Sequence, residues 1–90
     1  MSYYVYVILS QKNNKQFTYV GYTKNLINRL DLHNKGKGAK FTRGRKWKLI
    51  YHKKYSTKNK AMVEEYKLKN NNQFRKELKK INENINPSSI

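Results

Sequence analysis

The stretch YVGYTKNLINRL, residues 19–30, sets a glycine between two tyrosines and then passes directly into residues with helical spacing. A strand built from aromatic and β-branched residues gains little from a position without a side chain, so Gly21 implies a neighbour that needs the room. Residues 17–23 read as a strand. Residues 3–10 read as the strand before it, with apolar residues at both parities, the pattern of a strand covered on both faces. Between them, Asn13-Asn14 suits a two-residue hairpin turn. That turn places Lys12 opposite Lys15, Tyr6 opposite Gly21 and Ile8 opposite Tyr19. Tyr6 and Tyr19 then share one face as diagonal neighbours about 7 Å apart, and Gly21 opens a hollow beside Tyr6. A slip of one residue would send the two phenols to opposite faces. On geometry alone, a bulge at Gly21 with two core tyrosines is an equal reading.

After the glycine strand, Asn25 caps a helix that runs to about Asn34, with Leu26, Ile27 and Leu30 on its apolar side. Arg29 and His33 lie at i and i+4 on one flank of that stripe, which aims a guanidinium and an imidazole along the seam between helix and sheet. Residues 35–45 form a loop in which Gly36, Gly38 and Gly44 alternate with cations. Close backbone approach and positive charge suit phosphate, so Lys35, Lys37, Lys40, Thr42, Arg43 and Arg45 are the expected nucleic-acid contacts. A solvated basic loop is the default alternative, and Phe41 serves equally as a base-stacking ring or a small core anchor.

Residues 47–55 read as a third strand. Ser56 or Thr57 opens a turn into a helix over 59–69, the asparagines at 70–72 break it, and a last helix spans 73–82 with Phe74, Leu78 and Ile81 at helical spacing. The order ββαβαα describes an α/β protein of the α+β kind: a small three-stranded antiparallel sheet flanked by three helices. One domain is expected over 1–83, with a frayed tail over 84–90.

Helical projection of the second helix sets Glu65 between Ala61, Met62 and Leu68, while Glu64 and Lys67 point away. A carboxylate on an apolar face is costly unless a cation meets it. A divalent metal or Arg29 would serve, and a structural ion pair is the alternative. Asp31 is the only aspartate, so a two-metal carboxylate cluster is hard to assemble. One carboxylate with many waters suits magnesium. Lys69, at the end of the same helix, is a further expected nucleic-acid contact.

The 90 residues carry 21 Lys+Arg against 5 Asp+Glu, a formal net charge of +16. Nucleic acid is the commonest polyanion to balance such a charge. Seventeen of the cations are lysine and twelve residues are asparagine, a bias that codon drift in an AT-rich genome also produces. The four arginines are therefore the more informative cations. The absence of cysteine excludes disulfides, thiolate metal sites and cysteine nucleophiles. The longest apolar run, 3–9, is too short to span a bilayer, and no secretory leader is apparent, so the chain reads as soluble and cytoplasmic.

Taken together, Tyr4-Val5-Tyr6, Tyr19-Val20-Gly21, Arg29, His33 and Glu65 resemble the GIY-YIG nuclease superfamily. HNKGKGAKFTRGR, residues 33–45, and AMVEEYKLK, residues 61–69, resemble more narrowly its small stand-alone UPF0213-type branch. Tyr4 and Val5 depart from the glycine and isoleucine of the family's first motif, and Tyr22 stands where some branches carry lysine. The resemblance implies a DNA endonuclease dependent on one Mg²⁺ or Mn²⁺ ion. Tyr19 would deprotonate the attacking water, Tyr6 would position it, Glu65 would hold the metal, Arg29 would steady the phosphate charge and His33 would assist orientation or proton traffic. A protein partner for targeting is expected in place of an attached DNA-binding domain. The alternative is a non-catalytic DNA- or RNA-binding module on the same scaffold. A third reading, a subunit that docks on a larger nuclease, requires an exposed apolar patch, and none is obvious in the sequence.

Overall fold

The computed structural model describes residues 2–84. Its elements are β1 (Tyr3–Lys12), β2 (Lys15–Thr23), α1 (Leu26–Asn34), β3 (Lys48–Tyr55), α2 (Lys58–Lys69) and α3 (Asn72–Asn84). This is the expected ββαβαα order, with a single antiparallel sheet in which β1 lies between β2 and β3. Of the expected tail, only Asn84, at the end of α3, falls within the described residues.

The hairpin register follows from its turn. Asn13 and Asn14 both adopt left-handed backbone, with φ of 53° and 66°, as a two-residue turn matched to strand twist requires. Asparagine tolerates that region better than other residues with a side chain. Lys12 therefore pairs with Lys15, Tyr6 with Gly21 and Ile8 with Tyr19. On the other side of β1 the ladder to β3 shifts between Val7 and Ile8, which pair with Tyr51 and Leu49, so Ile50 is an extra residue. Sequence parity does not reveal this bulge, because Leu49, Ile50 and Tyr51 are all apolar.

The central strand is buried throughout Val5–Ser10, and its two faces carry separate clusters. Val5, Val7, Val20 and Ala61 form one, with Ile50, Tyr51, Leu68 and Leu78 packed against it. Tyr6, Ile8 and Trp47 form the other, joined by Phe17, Tyr19, Leu26, Leu30 and Leu49. Helices α2 and α3 thus cover one face, while α1 and the connection to β3 cover the opposite one. The edge of β2 is left between two layers, and both α1 and α2 reach it.

Local caps fix the helices that reach this edge. The Asn25 side chain accepts a hydrogen bond from the backbone N–H of Asn28 at 3.0 Å, and Thr57 accepts from Lys60 at 3.2 Å. Asn71 does the same for Phe74 at 3.0 Å as α3 begins, so the asparagine run both ends one helix and starts the next. Two expectations fail on α2: Glu64, expected to point away, is half-buried on the helix's inward face, and Met62, expected to face inward, does not. Met62 is exposed, as are Val63 and Tyr66, and with Tyr22 they line an apolar surface groove. The inward face of α2 is instead built from Ala61, Glu64, Glu65 and Leu68.

Candidate functional site

A cavity of about 600 Å³ opens along the β2 edge. Its walls include Tyr6 from β1, Tyr19 and Gly21 from β2, Arg29 from α1 and Glu65 from α2. Five residues singled out in the sequence, far apart along the chain, thus converge on one space. Asn28, Lys24 and Lys58 line it too, although sequence reading passed over them. A signal was available for Lys58, which sits seven residues before Glu65 and therefore two turns away on the same helical flank. Asn28 adjoins Arg29 and had no comparable mark.

Gly21 has a specific steric role. A Cβ built there would lie 2.5 Å from the Tyr6 hydroxyl oxygen and 2.7 Å from Cζ. The room opposite Tyr6 is therefore not an empty hollow, because the tyrosine's own phenol leans across the glycine and fills it. That tilt carries the hydroxyl to His33, where Oη lies 2.8 Å from Nε2.

His33 is buried beneath the cavity and does not line it. Its Nδ1 lies 3.0 Å from the Thr42 hydroxyl oxygen. Thr42 is 0% exposed, which corrects its expected role at phosphate: the side chain is spent on His33 and on the Ala39 carbonyl, to which it donates at 2.9 Å. The Trp47 indole N–H donates to the Thr42 carbonyl at 2.9 Å. Asn34 then clamps Trp47 by its backbone, accepting from its N–H at 2.6 Å and donating to its carbonyl at 3.1 Å. The loop after α1 is in this way pinned over the imidazole.

Tyr19 has different surroundings. It is half-buried, its ring centroid 5.0 Å from that of His33 and 6.3 Å from that of Phe41, on which it stacks at 21°. Phe41 also meets Phe17 and Trp47, so this half-exposed ring is tied into the protein on one side. The Arg45 guanidinium lies over Phe17 at 4.0 Å and Phe41 at 4.9 Å, a cation–π arrangement. Lys37, Lys40 and Arg43 are exposed, and Lys35 pairs with Asp31 at 2.8 Å. None of the loop cations lines the cavity.

The charged wall combines opposite signs. The Glu65 side chain is only 16% exposed and pairs with Lys69 at 3.2 Å, so the cation that meets it in this structure comes from its own helix. Arg29 has no ion-pair partner among the described residues. Burial pushes the Tyr6 phenol well above its ordinary value, with smaller upward contributions from Tyr19 and Glu65 and an opposing one from Arg29. Burial likewise lowers His33, and the Arg29 charge adds to the effect. Both groups are therefore neutral near pH 7. No group of three or more His, Cys, Asp or Glu suited to a metal lies together among the described residues. No helix is long and apolar enough to cross a membrane there.

Residues 2–82 match the family model of the GIY-YIG catalytic domain. Among curated relatives, the UPF0213 protein OB0043 of Oceanobacillus iheyensis is 45% identical over 75 residues, covering 82% of this chain and 84% of its own. The UPF0213 protein YazA of Bacillus subtilis is 40% identical over 78 residues, covering 86% and 76%. The solution NMR structure of the UPF0213 protein BH0048 from Bacillus halodurans, 40% identical, matches 86% of this chain and 80% of its own with a TM-score of 0.46.

Proposed function

This chain belongs to the GIY-YIG catalytic-domain family, and from that premise we propose that it is a metal-dependent endonuclease hydrolysing phosphodiester bonds of DNA. The observation that carries the reading is the meeting of Tyr6, Tyr19, Arg29 and Glu65 around one open cavity. A surface that only binds a polyanion has no use for a half-buried carboxylate at its centre, since carboxylate and phosphate repel.

Each side chain has a task that its surroundings permit. The oxygen of a water molecule attacks phosphorus, the bond from phosphorus to the leaving oxygen breaks, the water's proton passes to the Tyr19 oxygen, and the leaving oxygen takes a proton from solvent. Tyr19 is the base because Tyr6, with its phenol held protonated by burial, can only orient the water. Arg29, with its planar fork, holds the phosphoryl oxygens. The exposed cations Lys37, Lys40 and Arg43 hold the flanking backbone by charge.

The carboxylate set fits one hard cation that keeps most of its water, Mg²⁺ or Mn²⁺, held by Glu65. It does not fit zinc, which takes three or four protein ligands. When bound, the ion supplies charge neutralisation at the leaving oxygen. Lys69 must then release the carboxylate, and its pairing with Glu65 is the observation that favours the second reading, a binding module whose acid is structural.

The deciding experiment incubates single-stranded, duplex and branched DNA with the protein in Mg²⁺, Mn²⁺ or EDTA, alongside Glu65→Ala. Cleavage that needs metal and falls by about 100-fold or more in the variant is expected, the size of effect that removal of one charge stabiliser produces. Tight binding without cleavage under every condition would replace the nuclease with the binding module.

A further inference from the structure

From Tyr6 in the cavity wall, four groups form a single line inward: the buried Tyr6, His33 and Thr42 and the carbonyl of half-buried Ala39, joined at 2.8, 3.0 and 2.9 Å. Donors and acceptors along it can be assigned from its far end. The Ala39 carbonyl can only accept, so it takes the one proton that the Thr42 hydroxyl has. The Thr42 oxygen must then accept at its other contact, which makes His33 Nδ1 the N–H donor. A neutral imidazole protonated on Nδ1 presents a bare lone pair at Nε2. Tyr6 therefore donates its own proton inward to Nε2, and its hydroxyl oxygen offers only lone pairs to the cavity.

We propose that Thr42 is a positioning residue for the reaction: it sets the tautomer of His33 and thereby fixes Tyr6 as a hydrogen-bond acceptor facing the cavity. The consequence for catalysis rests on the nuclease reading. An acceptor at Tyr6 orients a water by one of its protons, leaving an oxygen lone pair for phosphorus and the second proton for Tyr19. A donor at Tyr6 would occupy that lone pair and blunt the nucleophile.

The loop is built for this role. Gly38 packs its backbone on the imidazole so closely that a Cβ would collide with His33 Nδ1. The space is open around Gly36 and Gly44, where no atom lies within 4 Å of a built Cβ. Of the three loop glycines, only Gly38 is needed for contact with the histidine. Trp47 holds the Thr42 carbonyl and Asn34 holds Trp47, so the hydroxyl cannot easily turn to another partner. Threonine at 42 is thus part of the floor of the site, even though it stands among cations in the sequence.

The test combines ring-nitrogen NMR of His33 with single-turnover cleavage for wild type, Thr42→Ser and Thr42→Val. Wild type and Thr42→Ser should both carry the proton on Nδ1, and Thr42→Ser should keep cleavage within about threefold of wild type. Thr42→Val, which keeps the shape but removes the hydroxyl, should lose the pure Nδ1–H form. It should also cleave about tenfold or more slowly, the scale of a lost water-orienting contact, with DNA affinity unchanged. An Nε2–H ring in the wild-type protein overturns the proposal, and that measurement needs no variant to fold. So does a Thr42→Val protein with unchanged tautomer and rate. If the wild-type protein cleaves nothing yet the tautomer responds to Thr42→Val as described, the nuclease reading falls and the tautomer assignment survives.

Discussion

The floor of the cavity and its rim are made on opposite principles. From Tyr6 back through His33 to Thr42, the floor is buried, neutral and fully hydrogen-bonded. From Arg29 round to Glu65 and Lys69, the rim is charged, partly exposed and held by one ion pair within a helix. A buried polar network is stable only when each member is satisfied, and satisfaction makes it rigid. An ion pair at a partly exposed rim is weak and exchanges partners readily. On the proposed nuclease function, the floor would hold a water to a fixed direction, while the rim would release Lys69 and take phosphate and metal in its place.

That contrast fails most visibly if the two tyrosines are interchangeable. Tyr19 lacks the inward hydrogen bond that occupies Tyr6, and it sits between rings rather than polar partners. Tyr19→Phe keeps the shape and removes the proton chemistry. Cleavage should fall by about 10²–10⁴-fold, the range for loss of a general base, with DNA affinity nearly intact in an anisotropy titration. Unchanged turnover would show that the proton goes elsewhere and that the division between floor and rim has no catalytic meaning.

A smaller effect probes the floor's rigidity alone. Gly21→Ala would force the Tyr6 phenol off the glycine, since the new methyl would meet Oη and Cζ inside contact distance. The ring is packed beside Ile8 and Trp47 and has little room to yield. Overpacking of this kind costs about 1–3 kcal/mol. The urea midpoint should fall accordingly, and the Tyr6–His33 hydrogen bond should be lost from the NMR spectrum. A variant as stable as wild type would mean that the floor adjusts, and that the glycine is not the reason Tyr6 reaches His33.

How much of this was legible differs between the same two regions. The hairpin could be read to the residue because Asn13-Asn14 sets a two-residue turn, and every cross-strand pair follows by counting. The inward placement of Glu65 followed from its helical spacing to Ala61 and Leu68, but the same projection turned Glu64 outward, and it is half-buried. Met62 did not follow, because the apolar residues of α2 are spread around the helix and leave its buried side undefined in projection. Thr42 was misread for another reason. A threonine flanked by lysine and arginine looks solvated, and only the fold reveals that the loop turns back to cover His33. The extra residue in β3 was hidden by three consecutive apolar side chains. Local patterns with one solution were readable; placements decided by what packs against them were not.

The finest distinction between floor and rim is a proton. His33 is held below its ordinary value by burial and by the charge of Arg29, while the two groups hydrogen-bonded to it are the Tyr6 phenol, kept protonated by burial, and the uncharged Thr42 hydroxyl. An unfolded histidine takes up a proton near pH ~6.5, but the folded imidazole does so only at lower pH. Between those two points the unfolded chain binds more protons, so stability falls as pH drops through that window. Above pH ~6.5 the contribution of this group is constant. The comparison to make is the urea midpoint at pH 7.5 and 5.8 for wild type and for His33→Gln, a range that lies above ordinary carboxylate titration. Wild type should lose more stability over this interval than the variant, by a modest margin. Equal losses would mean that the native ring accepts the proton as readily as the unfolded chain, and that the floor is charged like the rim.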